Sequence, residues 1–325
     1  MDRAIGGFFE LELNQGSVPY PGAKSFNSAR FAFQAVLAHE PVRRVFLPFY
    51  TCGTMYEAAL KAEVEVVRYY LDDELQLLEP PELQPGDRLQ YVNYFGYKND
   101  YIRRTLVPLY GNRLIVDNAQ ALFSAPEDGI TTLYSPRKFV GVPDGGWLFN
   151  APADLLPPEP GETQGRLRAL LGRLEGSPEP FYSTFIEVEH SIRDEGLRGM
   201  SAQTTRLLRS LDYPSIAARR ALNLDRVHRE LGSLNRFQLP TQAVQAPMCY
   251  PLLLDDVDTA NEVRGHLLKQ RIYLATYWRE LLEQPGLCPV ARRWTECMLP
   301  LPIDQRYGGT DMTRMVTAVK QILQA

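Results

Sequence analysis

The sequence predicts an α/β fold: a mixed, mostly parallel sheet with helices on both faces, followed by a small C-terminal α+β unit. Three observations carry this. Short apolar runs rich in Val, Ile, Phe and Tyr alternate with helix-period segments over residues 29–149. Helical patterns alone occupy residues 166–231, and strand and helix signals resume from about Asn235. Strand–helix–strand repetition implies parallel strands joined by crossovers that cover both faces of a sheet.

In order, the first helix is expected at Ala29–Ala38, where Phe31, Phe33, Val36 and Leu37 recur at helical spacing. Strands are expected at Arg44–Pro48, Val64–Tyr70, Arg88–Tyr94, Arg113–Asp117, Ile130–Tyr134 and Gly146–Phe149, with weaker helices at Thr54–Lys61 and Asp100–Leu109. The last two strands leave no room for a helix, so they pair through the turn Pro143-Asp144-Gly145-Gly146 and make the sheet mixed. Ala151–Glu162 holds Pro152, Pro157, Pro158 and Pro160 and reads as a surface loop. Helices follow at Arg166–Leu174, Phe181–Asp194, Ala202–Leu211 and from Pro214 to about Leu231, the proline suiting a first turn. In the last part, Cys249–Leu254 reads as a strand, Asp258–Gln270 as a helix, Ile272–Trp278 and Met298–Pro302 as further strands, and Asp311–Leu323 as a terminal helix. The division expected is a large domain 1–234, ending in a linking helix 215–234, and a small domain 235–325.

Composition narrows the function classes. With 45% hydrophobic and 23% charged residues the chain is an ordinary globular protein, and a formal charge of -4 gives no overall basic field for nucleic acid or anionic lipid. No apolar run approaches the ~18–20 residues of a membrane span, and the stretch from Met1 to Gly7 lacks the apolar core of a leader, so a cytoplasmic protein is expected. Cys52, Cys249, Cys288 and Cys297 form no Cys-x-x-Cys pair and are expected as reduced thiols; His39, His190, His228 and His266 show no metal-ligand spacing, so no metal is expected.

Three segments carry chemistry. In Leu114-Ile-Val-Asp-Asn-Ala-Gln120 a buried strand ends in Asp117. A carboxylate there faces the crevice where α/β proteins bind ligands, or else caps the next helix. In Thr132-Leu-Tyr-Ser-Pro-Arg-Lys-Phe-Val-Gly-Val-Pro-Asp-Gly-Gly146, Lys138 is either an exposed loop lysine or a Schiff-base lysine whose neutral amine is the nucleophile. Gly145 and Gly146 then let backbone pass close to the site, or simply make a hairpin turn. In Asn27-Ser28-Ala29-Arg30 a hydroxyl and small residues open a helix, which suits a phosphate with Arg30 as a second contact, or makes Ser28 an ordinary N-cap. Together the three fit pyridoxal phosphate: phosphate at the helix start, carboxylate against the ring nitrogen, lysine at the aldehyde.

These segments resemble the DegT-type sugar aminotransferases, within the fold-type I pyridoxal phosphate enzymes. The resemblance runs in order through Ser28-Ala-Arg-Phe-Ala-Phe33, Val45-Phe-Leu-Pro-Phe-Tyr-Thr51, Tyr91-Val-Asn-Tyr-Phe-Gly96, Val116-Asp-Asn-Ala-Gln120, Ser135-Pro-Arg-Lys-Phe139 and Asp144-Gly-Gly146. It implies that Lys138 holds the cofactor and shuttles protons, that Asp117 pairs with the pyridine nitrogen, that Gln120 lies near the phenolic oxygen, and that Ser28, the Ala29 N–H and Arg30 hold the phosphate. Three positions depart from the family pattern. Cys52 stands where a ring-stacking aromatic is common, with Tyr50 or Phe49 as substitutes. Leu133 replaces a phosphate-binding serine, with Ser135 as the substitute. Leu197-Arg198-Gly199 stands where the family lends an asparagine across a dimer, and Arg198 offers charge instead.

Lysine at 138, where the related sugar dehydratases carry histidine, points to transamination. Arg219, Arg220 and Asn223 read as a solvated helix face, and Tyr277 and Trp278 as core aromatics in preference to sugar contacts. The expected function is transfer of an amino group, from glutamate or a similar donor, to a keto group on a nucleotide-linked sugar, in a homodimer with a shared site. A non-sugar carbonyl substrate (cyclitol or keto acid) and a catalytically inactive binding protein are the alternatives.

Overall fold

The computed structural model describes residues 5–163, 165–240 and 246–324; the start of the stretch examined for a leader lies outside them. Over the described residues, seven strands form one sheet in the order β1-β7-β6-β5-β4-β2-β3. They are β1 (Lys24–Phe26), β2 (Arg44–Pro48), β3 (Glu65–Tyr69), β4 (Asp87–Val92), β5 (Leu114–Asn118), β6 (Thr131–Tyr134) and β7 (Gly146–Phe149). Strands β2 to β6 pair in parallel, and β7 runs antiparallel to both β6 and β1. The mixed sheet is therefore as the sequence predicts, with β1 added. Three residues are too few to show a period, so β1 was not legible.

Period-two alternation divides the side chains of the sheet between two cores. Ile115, Leu133 and Leu148 point to the face covered by α1 (Ala29–His39) and α2 (Gly53–Lys61), where they meet Phe33, Val36 and Ala59. Val116, Tyr134 and Trp147 point to the other face. There they share one continuous core with α8 (Tyr213–Leu231) and the C-terminal unit. Each large side chain buried this way contributes about 1.5–3 kcal/mol.

The expected helix over Asp100–Leu109 is broken into α3 (Asn99–Tyr101), a π-helical stretch Ile102–Leu106 and α4 (Val107–Tyr110). Pro108 has no N–H for the carbonyl four residues back, so the hydrogen-bond ladder changes register around it. Ala151–Glu162 has no regular structure beyond one bridge, Pro160 to Gly199. Helices α5 (Arg168–Glu175), α6 (Tyr182–Glu195) and α7 (Ala202–Arg209) follow, and Asp212 caps α8 by accepting from the Ser215 N–H at 3.0 Å.

The C-terminal unit comprises β8 (Tyr250–Leu253) and β9 (Met298–Leu301), paired antiparallel, with α9 (Val257–Lys269), α10 (Pro289–Cys297) and α11 (Gly309–Leu323). Ile272–Trp278, expected as a strand, is not one. Arg271 and Trp278 turn left-handed at φ 57° and 56°, and the Arg264 guanidinium donates to the Ala275 carbonyl where a ladder partner would stand. Among the described residues no helix is long and apolar enough to cross a membrane.

Candidate active site

The carboxyl ends of β5 and β6 and the start of α1 meet at one end of the sheet. Asp117 is the penultimate residue of β5, opposite Val92 of β4 and Leu133 of β6. It is 5% exposed; its Oδ1 accepts the Ala119 N–H at 2.9 Å and its Oδ2 accepts the Gln90 amide at 3.0 Å. Burial pushes the Asp117 carboxyl above the usual carboxylate range, and the Lys138 charge, the Ala119 N–H and Gln90 work against that rise. Gln90 was missed at the sequence level. The available signal was a lone amide inside the buried run Asp87–Val92.

Gln120 is buried three residues on. Its Oε1 accepts the Phe95 N–H at 3.0 Å, while its Nε2 has no partner among the described residues. Phe95 reaches that bond in the left-handed region, at φ 55°, followed by Gly96 at 91°. A non-glycine residue held there stores about 1–3 kcal/mol, an expense the surrounding packing must sustain.

Lys138 ends the 3-10 turn Pro136–Lys138, its N–H donating to the Ser135 carbonyl at 3.2 Å and its side chain exposed. Ser135 is 9% exposed at the head of the turn, and Arg137 is tied to Glu189 of α6. Ser28 is the N-cap of α1, its Oγ accepting the Phe31 N–H at 3.4 Å. Gly145 donates to the Asn27 carbonyl at 2.8 Å. A Cβ on Gly146 would lie 2.3 Å from the Ala29 nitrogen and 2.2 Å from the Ser28 carbonyl carbon. The expected turn at 143–146 is only the end of a longer connection, residues 135–145, between β6 and β7, and Gly146 lets the start of β7 press against the helix start. Asp144 anchors the turn by accepting the N–H and hydroxyl of Ser201, each at 3.1 Å. Arg30, next along α1, is half-buried.

Tyr50 and Cys52 follow β2, two strands from β5. Cys52 is the N-cap position of α2 but makes no capping bond through its side chain; its Sγ lies 3.1 Å from the Thr54 hydroxyl. Tyr50 is fully buried, 5.7 Å from Tyr94 and edge-on to Trp278 at 4.5 Å, with its hydroxyl unpartnered. The exposed Arg198 lies beside the helix start, where its carbonyl accepts the Asn27 N–H at 2.9 Å. Trp278 is core, as expected. The reading of Arg219, Arg220 and Asn223 as one solvated face is corrected: Arg219 is exposed, but Arg220 and Asn223 are 1% and 2% exposed and spend their N–H groups on carbonyls of distant segments.

No family model matches the chain, and no curated protein matches it in sequence. Solved structures do match in fold. CalS13, a sugar aminotransferase from Micromonospora echinospora, has a TM-score of 0.64 at 16% identity, over 93% of this chain and 87% of that one. The fold is that of the sugar aminotransferases. A DegT DnrJ EryC1 StrS aminotransferase from Brucella abortus shares it at a TM-score of 0.59 and 15% identity, over 92% and 85% of the two chains. NtdA from Bacillus subtilis, solved with bound cofactor PMP, shares it at 0.64 and 13% identity, over 93% and 73%. At these identities the sugar-aminotransferase likeness is one of fold.

Proposed function

We propose that this chain is a pyridoxal phosphate-dependent aminotransferase acting on a keto sugar. The observation that carries the reading is Asp117, a carboxylate buried near the end of β5 whose ionised form the Lys138 charge favours. An ionisable group is kept dry at the carboxyl end of the parallel strands, where a cationic ring nitrogen would complete it.

The surrounding residues fit the cofactor. The unpartnered Gln120 Nε2 is a donor waiting for an oxygen, and the Ser28 cap, pressed by Gly146, presents a helix start that favours an anion. Pyridoxal phosphate, when bound, supplies an aldehyde that takes up the amino group and a ring that draws electrons from the reacting carbon. Lys138 holds the cofactor and moves the proton. Asp117 holds the charge on the ring nitrogen, Gln120 orients the ring through its free N–H, and Ser28, Ala29 and Arg30 take the phosphate. Ser135 substitutes for the phosphate-binding serine that Leu133 replaces, and Cys52 stands where the family pattern has a ring-stacking aromatic. The solved structures named as sugar aminotransferases support the substrate class, and we extend it to a nucleotide-linked sugar with glutamate as donor, in a homodimer of two-domain subunits divided near residue 234.

The test is amine formation, followed by mass spectrometry, from glutamate and three acceptors: a nucleotide-linked keto sugar, a keto cyclitol and a small keto acid. The keto sugar should be preferred. Lys138→Ala should cut turnover by at least about 10²–10⁴-fold, the usual contribution of a proton-transfer group, with the fold intact because the side chain is exposed. Unchanged turnover in that variant sinks the assignment.

A further inference from the structure

The carbonyl of Phe139, the residue that follows Lys138, receives two side-chain hydrogen bonds. Arg220 Nη2 donates to it at 3.3 Å from α8, and Gln305 Nε2 donates to it at 2.7 Å from the loop after β9. The two donors are joined, because Arg220 Nε donates to Gln305 Oε1 at 3.0 Å. The Arg220 guanidinium also sits 4.7 Å from the centre of the Phe139 ring. Its remaining bonds, from Nη1, go to the carbonyls of Pro247 and Met248 at 3.0 and 3.2 Å, in the stretch leading to β8. One helical turn along, Asn223 Nδ2 donates to the carbonyls of Ile303, Asp304 and Tyr307, and so holds the loop that carries Gln305.

The chemistry of this cluster is unusual for a packing device. Every hydrogen bond of the buried Arg220 ends on a neutral carbonyl oxygen, and Asp304, the acid that offsets its charge, is itself bonded by Arg306. Burial lowers the guanidinium to about 10, so it remains a cation at neutral pH. A buried cation of this kind adds little stability over a well-packed apolar side chain. What it does supply is direction, since a planar fork fixes several acceptors at once.

We infer that Arg220 and Gln305 are positioning residues. Together they clamp the backbone beside Lys138 and so tie the place of the lysine to the docking of the C-terminal unit. The cofactor half of this inference rests on the function proposed above; the geometric half does not.

Gln305→Glu separates the roles. A glutamate still accepts from Arg220 and gains an ion pair, but it has no N–H for the Phe139 carbonyl. Amide hydrogen exchange over residues 137–142 of the unloaded protein should rise about tenfold, the worth of one lost hydrogen bond, while Tm stays at or above that of the unaltered chain. On addition of pyridoxal phosphate, the pH midpoint of the bound visible band should move by about half a unit or more as the lysine shifts. Gln305→Met, which is neutral and of similar volume, should loosen the same stretch and serves if the glutamate misfolds. Unchanged exchange over 137–142 in both variants overturns the clamp, and so does a rise spread evenly over the whole chain. If the unaltered chain forms no bound band with pyridoxal phosphate, the proposed function fails and takes the lysine-positioning role with it. A normal band in the unaltered chain, with variants that match it, overturns the lysine-positioning role and leaves the proposed function standing.

Discussion

Asp117 illustrates the conflict between stability and function at the residue scale. Its carboxyl titrates above the usual range because burial outweighs the help of Lys138, Ala119 and Gln90. A folded pKa above the unfolded one, about 3.9, favours the folded state at low pH, and that advantage is lost as pH rises through the folded value. Without cofactor, Asp117 therefore weakens the fold at neutral pH. Asp117→Asn should raise the Tm of the unloaded protein at pH 8, by about 2–4 °C for each kcal/mol relieved, and should give no gain at pH 3.5. The buried Gln90 Oε1, unpartnered now, can accept from the new amide once Gln90 turns over. Thermal unfolding at the two pH values checks this, and an unaltered chain that is the more stable at pH 8 contradicts it. The same variant should bind pyridoxal phosphate more weakly, since the ring nitrogen loses its counter-charge. Asp117, Gln120 and Lys138 were legible because each is polar at the edge of an apolar run. Arg220 and Asn223 were not, because a helix with arginines on it looks solvated until the carbonyls of residues 139, 247 and 303–307 are folded against it.

At the scale of elements, the contact between β7 and the start of α1 sets the anion end of the site. Gly146→Ala would put a methyl against the Ser28 and Ala29 backbone and force the helix away from the strand. Overpacking of this kind costs about 1–3 kcal/mol. The variant should unfold earlier in urea and bind pyridoxal phosphate at least tenfold more weakly in a fluorescence titration; tight binding in a destabilised protein would show that α1 does not hold the phosphate. The parallel strands were readable because both of their faces are buried, so their sequences are continuous apolar runs. The segment Ile272–Trp278 shows the limit of that logic. It is apolar and short, as a strand is, yet its backbone is held by the Arg264 side chain, a contact that no local pattern announces. The π-helical stretch at Ile102–Leu106 is similar: Pro108 marks the break, but how the ladder shifts depends on the tertiary packing of Ile102 and Leu106.

Among the described residues, one core runs on from the sheet into the C-terminal unit. Trp294, in α10 of the C-terminal unit, is fully buried and lies 6.1 Å from Phe95 and 6.3 Å from Tyr50 of the sheet domain. Because one core serves both units, urea unfolding should be a single transition, with tryptophan fluorescence and far-UV circular dichroism coincident. Two separated transitions would show that the units are independently stable. The same continuity allows the C-terminal unit to reach the lysine loop through Gln305. The most direct test of the account is the visible absorption spectrum of the purified chain with pyridoxal phosphate, taken before and after glutamate, beside Lys138→Ala. A bound-cofactor band that glutamate bleaches, and that Lys138→Ala does not form, is the predicted result. A chain that gives no band, or one that forms equally well without Lys138, would contradict the account and leave a protein with the aminotransferase fold but another task.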